Sequence, residues 1–253
     1  MQRSGLLMAA LVVASSWPHA AAAERRSFVR INEFGTSNAE VARIEVNVVH
    51  TSVGQDGISE APQRFAMAFA VRYGLSNRLD IGATYAFAQQ SAGTGAAPAG
   101  TASALGFEQV RVDARYHLLE RGHLVALAPR LAVGVNPATR VANVDAALVL
   151  ERDVGPVTAV ANVAVTGERD PSGKTWGTRG NLAGYVEVTP RLRLGAEVAA
   201  QRTFAAGAQT ALQLGPTVAW TSAHRLWAVI GIGYGLTTAS DRLYGAAWIG
   251  CNL

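Results

Sequence analysis

The chain has 253 residues, with 22 lysines and arginines against 18 aspartates and glutamates, for a formal net charge of +4. That small excess, nearly all arginine with Lys174 the only lysine, gathers into no basic run, so a nucleic-acid partner is not expected. The single cysteine, Cys251, excludes an intramolecular disulfide.

The chain opens with Arg3, an apolar stretch over 6–14 and small residues closing on Ala20-Ala21-Ala22-Ala23. This is the layout of a secretory signal peptide over 1–23, and the apolar stretch is too short for a spanning helix. Loss of 1–23 removes Arg3, and the net charge of +4 falls to +3. Residues 24–38 keep no period and read as a periplasmic lead-in, which leaves 39–253 for the folded body.

A first strand is expected over 40–52, where Ala42, Ile44, Val46 and Val48 oppose Arg43, Glu45 and Asn47. The clearest unit follows over 64–89, a hairpin around Gly74-Leu75-Ser76-Asn77-Arg78. Phe65, Met67, Phe69, Val71 and Tyr73 share a face against Ala66, Ala68, Ala70 and Arg72. On the return, Leu79, Ile81, Ala83, Tyr85 and Phe87 oppose Asp80, Gly82, Thr84, Ala86 and Ala88. The glycine- and alanine-rich stretch 91–104 cannot pack a core and belongs in solvent. In a fourth strand, over 106–118, Val110, Val112, Ala114, Tyr116 and Leu118 oppose Gln109, Arg111, Asp113, Arg115 and His117. A fifth, over 124–135, turns Val125, Leu127, Leu131 and Val133 outward and Arg130 inward; Pro129 within it predicts a bulge or weakened pairing. Seven more are expected over 141–151, 157–166, 179–188, 192–201, 210–220, 225–236 and 241–253.

Apolar outward faces and polar inward ones suit lipid outside and a lumen inside. The fold class is therefore all-β, a transmembrane antiparallel up-and-down β-barrel of about twelve strands with both termini periplasmic. The location that follows is the outer membrane of a Gram-negative bacterium. Connections should alternate between tight periplasmic turns, near Ser76, Gly122, Gly155, Pro190 and Ala223, and longer outer loops, near Gly57, Gly95, Ser172 and Gly207. The outer connections near Pro137 and Ala239 are exceptions and read as short. A faint repeat, Arg78-Leu79, Arg191-Leu192 and Arg225-Leu226, marks strands leaving the periplasmic turns. Outward aromatics sort into an outer girdle of Phe65, Tyr85, Phe87 and Tyr234 and an inner one of Tyr73, Tyr116 and Trp220.

The stretch Tyr73-Gly74-Leu75-Ser76-Asn77-Arg78-Leu79-Asp80-Ile81-Gly82 resembles the bacterial outer-membrane barrels of the transporter-like family associated with meta-pathway phenol degradation. The resemblance is strongest over 63–135 and rests on a motif that encodes hairpin geometry. It implies an outer-membrane channel for passive passage of small solutes, aromatic ones among them.

The projected lumen holds Arg43, Arg72, Arg111, Arg115, Arg130, Arg179 and Arg193 against Glu45, Asp80, Asp113, Asp145, Glu151, Glu187 and Glu197, lists that balance. Constriction candidates are Arg43, Arg72, Asp80, Arg111, Asp113, Arg115 and Arg130, with Arg111, Asp113 and Arg115 at the centre. Two other readings compete with the channel. A plugged structural or adhesion barrel without transport follows if the charged side chains interlock across the lumen. A lipase using Ser52 and His50 needs an orienting group that the sequence does not supply. An enzyme is not expected, and neither a catalytic set, a metal site nor a cofactor is assigned. The expected partners are outer-membrane lipids, the barrel assembly machinery and a small-molecule solute.

Overall fold

Alternation gives each strand two unlike faces, and closing the sheet turns one to lipid and the other to the interior. The computed structural model describes residues 39–52, 63–90, 104–119, 124–137, 139–222 and 225–253. These form a closed antiparallel barrel of twelve strands. The strands are β1 (Ala42–Ser52), β2 (Gln63–Gly74), β3 (Leu79–Gln90), β4 (Gly106–Tyr116), β5 (Ala126–Asn136), β6 (Val141–Val154), β7 (Val157–Asp170), β8 (Gly173–Thr189), β9 (Leu192–Thr203), β10 (Ala211–Thr221), β11 (Leu226–Gly235) and β12 (Leu243–Asn252). Closure is made by β1 on β12, paired from Arg43↔Asn252 to Ser52↔Leu243, so every strand of the ring has a neighbour on both sides. The expected signal peptide and lead-in lie outside the described residues, as do 91–103 of the glycine- and alanine-rich stretch.

Large apolar side chains cover the outside. Val71, Ile81, Val112, Leu131, Leu182 and Ile230 are all exposed, a costly surface in water and a stable one against acyl chains. The girdle residues Tyr85 and Tyr234 are exposed toward the outer rim, and Tyr73, Tyr116 and Trp220 toward the inner one. Phe87 packs edge-on between Phe69 and Phe107, with ring centroids 6.3 and 6.1 Å apart.

The arginine-leucine repeat has a local cause. In the turn before β3, Ser76 Oγ accepts from the backbone N–H of Arg78 at 3.2 Å and of Leu79 at 3.1 Å. Before β9, Thr189 Oγ1 does the same for Arg191 at 3.2 Å and Leu192 at 3.0 Å. Before β11, Ser222 Oγ accepts from Leu226 at 3.1 Å. A hydroxyl ahead of the arginine and leucine therefore holds each of these three turns.

Two outer connections differ from expectation. The one at Ser172 is tight, because Asp170 pairs with Gly173 and the strands β7 and β8 continue past the rim as a hairpin. Asp170 Oδ1 accepts from the backbone N–H of Ser172 at 2.7 Å and of Gly173 at 2.9 Å, and Pro171 pre-sets the turn. The one near Ala239 is long, occupying 236–242, and is tied down where Ser240 Oγ donates to the Leu212 carbonyl at 2.7 Å.

Proline disturbs the sheet at two places. Pairing of β4 with β5 stops at Arg115↔Arg130. Beyond it Leu118 and Leu119 both donate to the Leu127 carbonyl, at 2.9 and 3.1 Å, a bulge two residues from Pro129. The register of β5 with β6 runs unbroken through Pro129↔Leu148, since a proline cannot donate and only one neighbour loses a bond. The outer wall is hollowed there by about 610 Å³ between Tyr116, Pro129, Leu131, Leu148 and Val163. At Pro216, pairing of β10 with β11 lapses between Leu214↔Tyr234 and Thr217↔Gly231, a site the alternation pattern did not flag.

Candidate functional site

The inward faces of β2 to β6, with one residue of β8, carry a continuous ion-pair network. It starts where Arg72 stands in register with Gly82. With no side chain on Gly82, the guanidinium crosses β3 and reaches β4; a Cβ there would sit 3.1 Å from Arg72 Cζ and 3.0 Å from Asp113 Oδ1. Arg72 donates through Nη1 to Asp80 Oδ1 at 2.7 Å and Asp113 Oδ2 at 2.9 Å, and through Nη2 to Asp113 Oδ1 at 3.1 Å. Arg115 donates to Asp80 Oδ2 at 2.8 Å through Nη2. Arg130 bridges onward, from Nε to Asp113 Oδ2 at 3.2 Å and from Nη1 to Asp145 Oδ1 at 3.3 Å. Asp145 also accepts from Arg179 Nη2 at 2.6 Å.

Arg111 completes the set differently. Its Nη2 is 3.3 Å from Asp145 Oδ1, yet neither Nη2 nor Nε has a hydrogen-bond acceptor. Three guanidiniums thus crowd one carboxylate. Among the described residues, these ion pairs join five arginines to three aspartates, a formal excess of two positive charges. The balance expected of the whole lumen does not hold locally. Asp80 and Asp113 are sealed from solvent, whereas the Arg111 and Arg179 side chains keep 21% and 32% of their surface.

Six of the seven candidates from the sequence, Arg72, Asp80, Arg111, Asp113, Arg115 and Arg130, therefore meet in one network. Arg43 donates to Asn252 Oδ1 at 3.0 Å across the β1–β12 closure and stands 3.5 Å from Glu45 Oε1 on its own strand. Arg179 and Asp145 belong to the network although the candidate set left them out. Their inward phase was readable, but not that strand tilt would bring β8 to β6.

Two cavities open beside the network toward the outer rim. One, of about 530 Å³, is lined by Gln109, Arg111, Asn143, Asp145, Thr166 and Arg179. The other, of about 500 Å³, is lined by Arg179, Asn181, Gln201, Gln213 and Ser240. Arg179, Gln201 and Thr203 line both, so the two adjoin as one polar vestibule.

The facing wall is apolar. In a ring of twelve strands β5 and β6 lie across from β11 and β12, where Trp227, Val229, Tyr244 and Ala246 are buried with Val49 and Trp248 packed on them. Trp227 stands in register with Gly250 and Tyr244 with Gly233. A Cβ on either glycine would overlap the facing ring, so both rings lie flat along the wall. A second cluster, Ala126, Ala128, Val149, Val160 and Ala183 with Tyr185, lines the inner half of the lumen around β5 to β8. These inward aromatics were missed, although the outward phase of Leu226, Ala228, Ile230 and Ile232 puts Trp227 inside.

His50 and Ser52 share a face, as the lipase reading requires, and no orienting group is seen with them among the described residues. Both lie on the outward face of β1, and Ser52 Oγ donates to the Leu243 carbonyl at 3.4 Å.

No protein-family model and no curated protein matches the chain. Among solved structures it is similar to the COG4313 outer membrane channel from Pseudomonas putida F1, with a TM-score of 0.68 and 14% identity over 89% of this chain and 100% of that one. It is similar to the NanC porin, with a TM-score of 0.55 and 10% identity over 82% of this chain and 97% of that one. It is also similar to the KdgM porin solved in complex with disordered oligogalacturonate, with a TM-score of 0.55 and 7% identity over 83% and 97% of the two chains. The fold is that of a Gram-negative outer-membrane barrel.

Proposed function

We propose that the barrel is an outer-membrane channel for passive passage of small solutes, aromatic ones among them. The observation that carries this reading is the polar vestibule of two adjoining cavities, about 530 and 500 Å³, leading from the outer rim to the arginine network. Ordered charge along one wall with apolar surface on the other is how a narrow pore admits small molecules and orients them. The likeness in fold to an outer membrane channel and to porins supports the same reading. The hairpin motif at 73–82 further supports a place in the transporter-like family associated with meta-pathway phenol degradation.

A closed barrel without transport is the second reading, favoured by the complete burial of Val229 and the near-complete burial of Trp227 and Tyr244 inside the ring. Single-channel recording on the refolded mature chain, with Arg111→Ala and Arg115→Ala alongside, separates the two. A conducting pore gives discrete steps altered by these substitutions. A silent bilayer, with insertion verified by protease protection, leaves the closed barrel.

A further inference from the structure

The arginine network is overbuilt for holding the wall together. Each of its aspartates already accepts from two guanidiniums without Arg111: Asp80 from Arg72 and Arg115, Asp113 from Arg72 and Arg130, and Asp145 from Arg130 and Arg179. Arg111 adds a third positive charge at Asp145 and spends neither Nε nor Nη2 on a hydrogen bond. The idle Nε and Nη2 are themselves covered, while the Arg111 side chain as a whole keeps 21% of its surface, so a third positive charge stands partly open beside two like charges, which costs stability unless an anion offsets it.

The surroundings describe what that anion is. Arg111 and Arg179, the two most accessible guanidiniums of the network, line the same cavity of about 530 Å³. Its other polar lining includes the amides of Gln109 and Asn143, with Asn143 Nδ2 donating to Gln109 Oε1 at 2.8 Å. The acidic groups there are Asp145, already committed, Glu108, ion-paired with Arg64, and Glu168, exposed at the mouth. Two partly accessible guanidiniums lining one cavity supply the positive charge and the N–H donors that a carboxylate takes.

From this juxtaposition we infer that Arg111 and Arg179 form a binding site for a small organic carboxylate, so that solutes bearing one are held in the vestibule on their way through. The inference rests on the channel reading for its purpose, but binding at the site is measurable without conduction.

The test is calorimetric titration of the refolded full barrel in detergent with benzoate and with benzamide, a neutral molecule of nearly the same shape. Benzoate is expected to bind saturably, and benzamide at least tenfold more weakly. Arg111→Gln is expected to weaken benzoate at least tenfold and Arg111→Lys to recover part of that loss. Arg111→Gln should leave the thermal midpoint of unfolding unchanged or raised, because it relieves the crowding at Asp145; a structural arginine would lower it. Equal binding of both probes, no saturable binding of benzoate, or an Arg111→Gln barrel that is destabilised yet binds benzoate as before overturns the site. Benzoate binding by a barrel that does not conduct keeps the site and removes the channel; conduction without benzoate binding does the reverse.

Discussion

Arg72 and Asp113 meet fork to fork across an intervening strand, Nη1 and Nη2 lying 2.9 and 3.1 Å from Oδ2 and Oδ1 above Gly82. The two ends of this bond are not equivalent. Removing Asp113 leaves Arg72 and Arg130 buried with less acceptor and raises the surplus of positive charge. Removing Arg72 lowers the surplus, and Asp80 keeps Arg115 while Asp113 keeps Arg130. Asp113→Asn is therefore expected to destabilise the barrel by about 3 kcal/mol, and Arg72→Gln by clearly less. Urea unfolding in lipid vesicles, followed by tryptophan fluorescence, gives both numbers; equal losses would show that the surplus charge does not matter.

The ring of Trp227 needs the bare backbone of Gly250, so Gly250→Ala forces the ring or the strand to move in a closely packed place. Overpacking of this kind costs about 1–3 kcal/mol. Gly245, on the same strand, has open space around the Cβ position, and Gly245→Ala should change stability by less than about 0.5 kcal/mol. Comparing the unfolding midpoints of the two variants isolates the contact from the loss of a glycine as such.

The legible part of this protein is what period two encodes. The phase of Phe65 to Tyr73 and of Leu79 to Phe87 set the faces of the central hairpin, and the strand number, the girdles and the inward direction of all seven candidate residues followed. What period two does not encode is which inward residues meet. Arg72 reaches Asp113 only because register puts Gly82 beneath it, and Arg179 reaches Asp145 across β7. Counting charges over the whole lumen gave balance, whereas distances give a local surplus. The turn at Ser172 was misjudged for a related reason: polar residues around Asp170 and Lys174 look like a loop, yet Asp170 and Pro171 make a tight turn that lets both strands run on into solvent.

Ser76 holds the central periplasmic turn with two backbone bonds, to Arg78 and Leu79. Ser76→Ala removes the one acceptor that the exposed Arg78 and Leu79 N–H groups share, and water then reaches them, so the expected cost is about 1 kcal/mol or less. Ser76→Thr keeps the hydroxyl, as Thr189 does at the turn before β9, and should restore stability. If serine, alanine and threonine give the same unfolding curve, the shared motif reflects strand phase and not turn capping.

Trp248 tests the apolar wall. It is the half-buried member of the cluster on β11 and β12, inward-facing in register with Asn47 and Val229, while Trp227 and Tyr244 are covered. A passing aromatic ring that packs against it gains about 1 kcal/mol over an aliphatic group of similar size. In a vesicle-swelling assay the wild-type barrel should therefore pass phenylalanine faster than its size predicts, with leucine as the reference, both having the same charged backbone groups. Trp248→Ala should lower the phenylalanine-to-leucine ratio by about fivefold while raising the leucine rate, because it removes the contact and widens the lumen together. A ratio that stays fixed while both rates rise would assign Trp248 to filling alone. Swelling in neither wild type nor variant would mean that the wall of Trp227, Tyr244 and Trp248 closes the barrel.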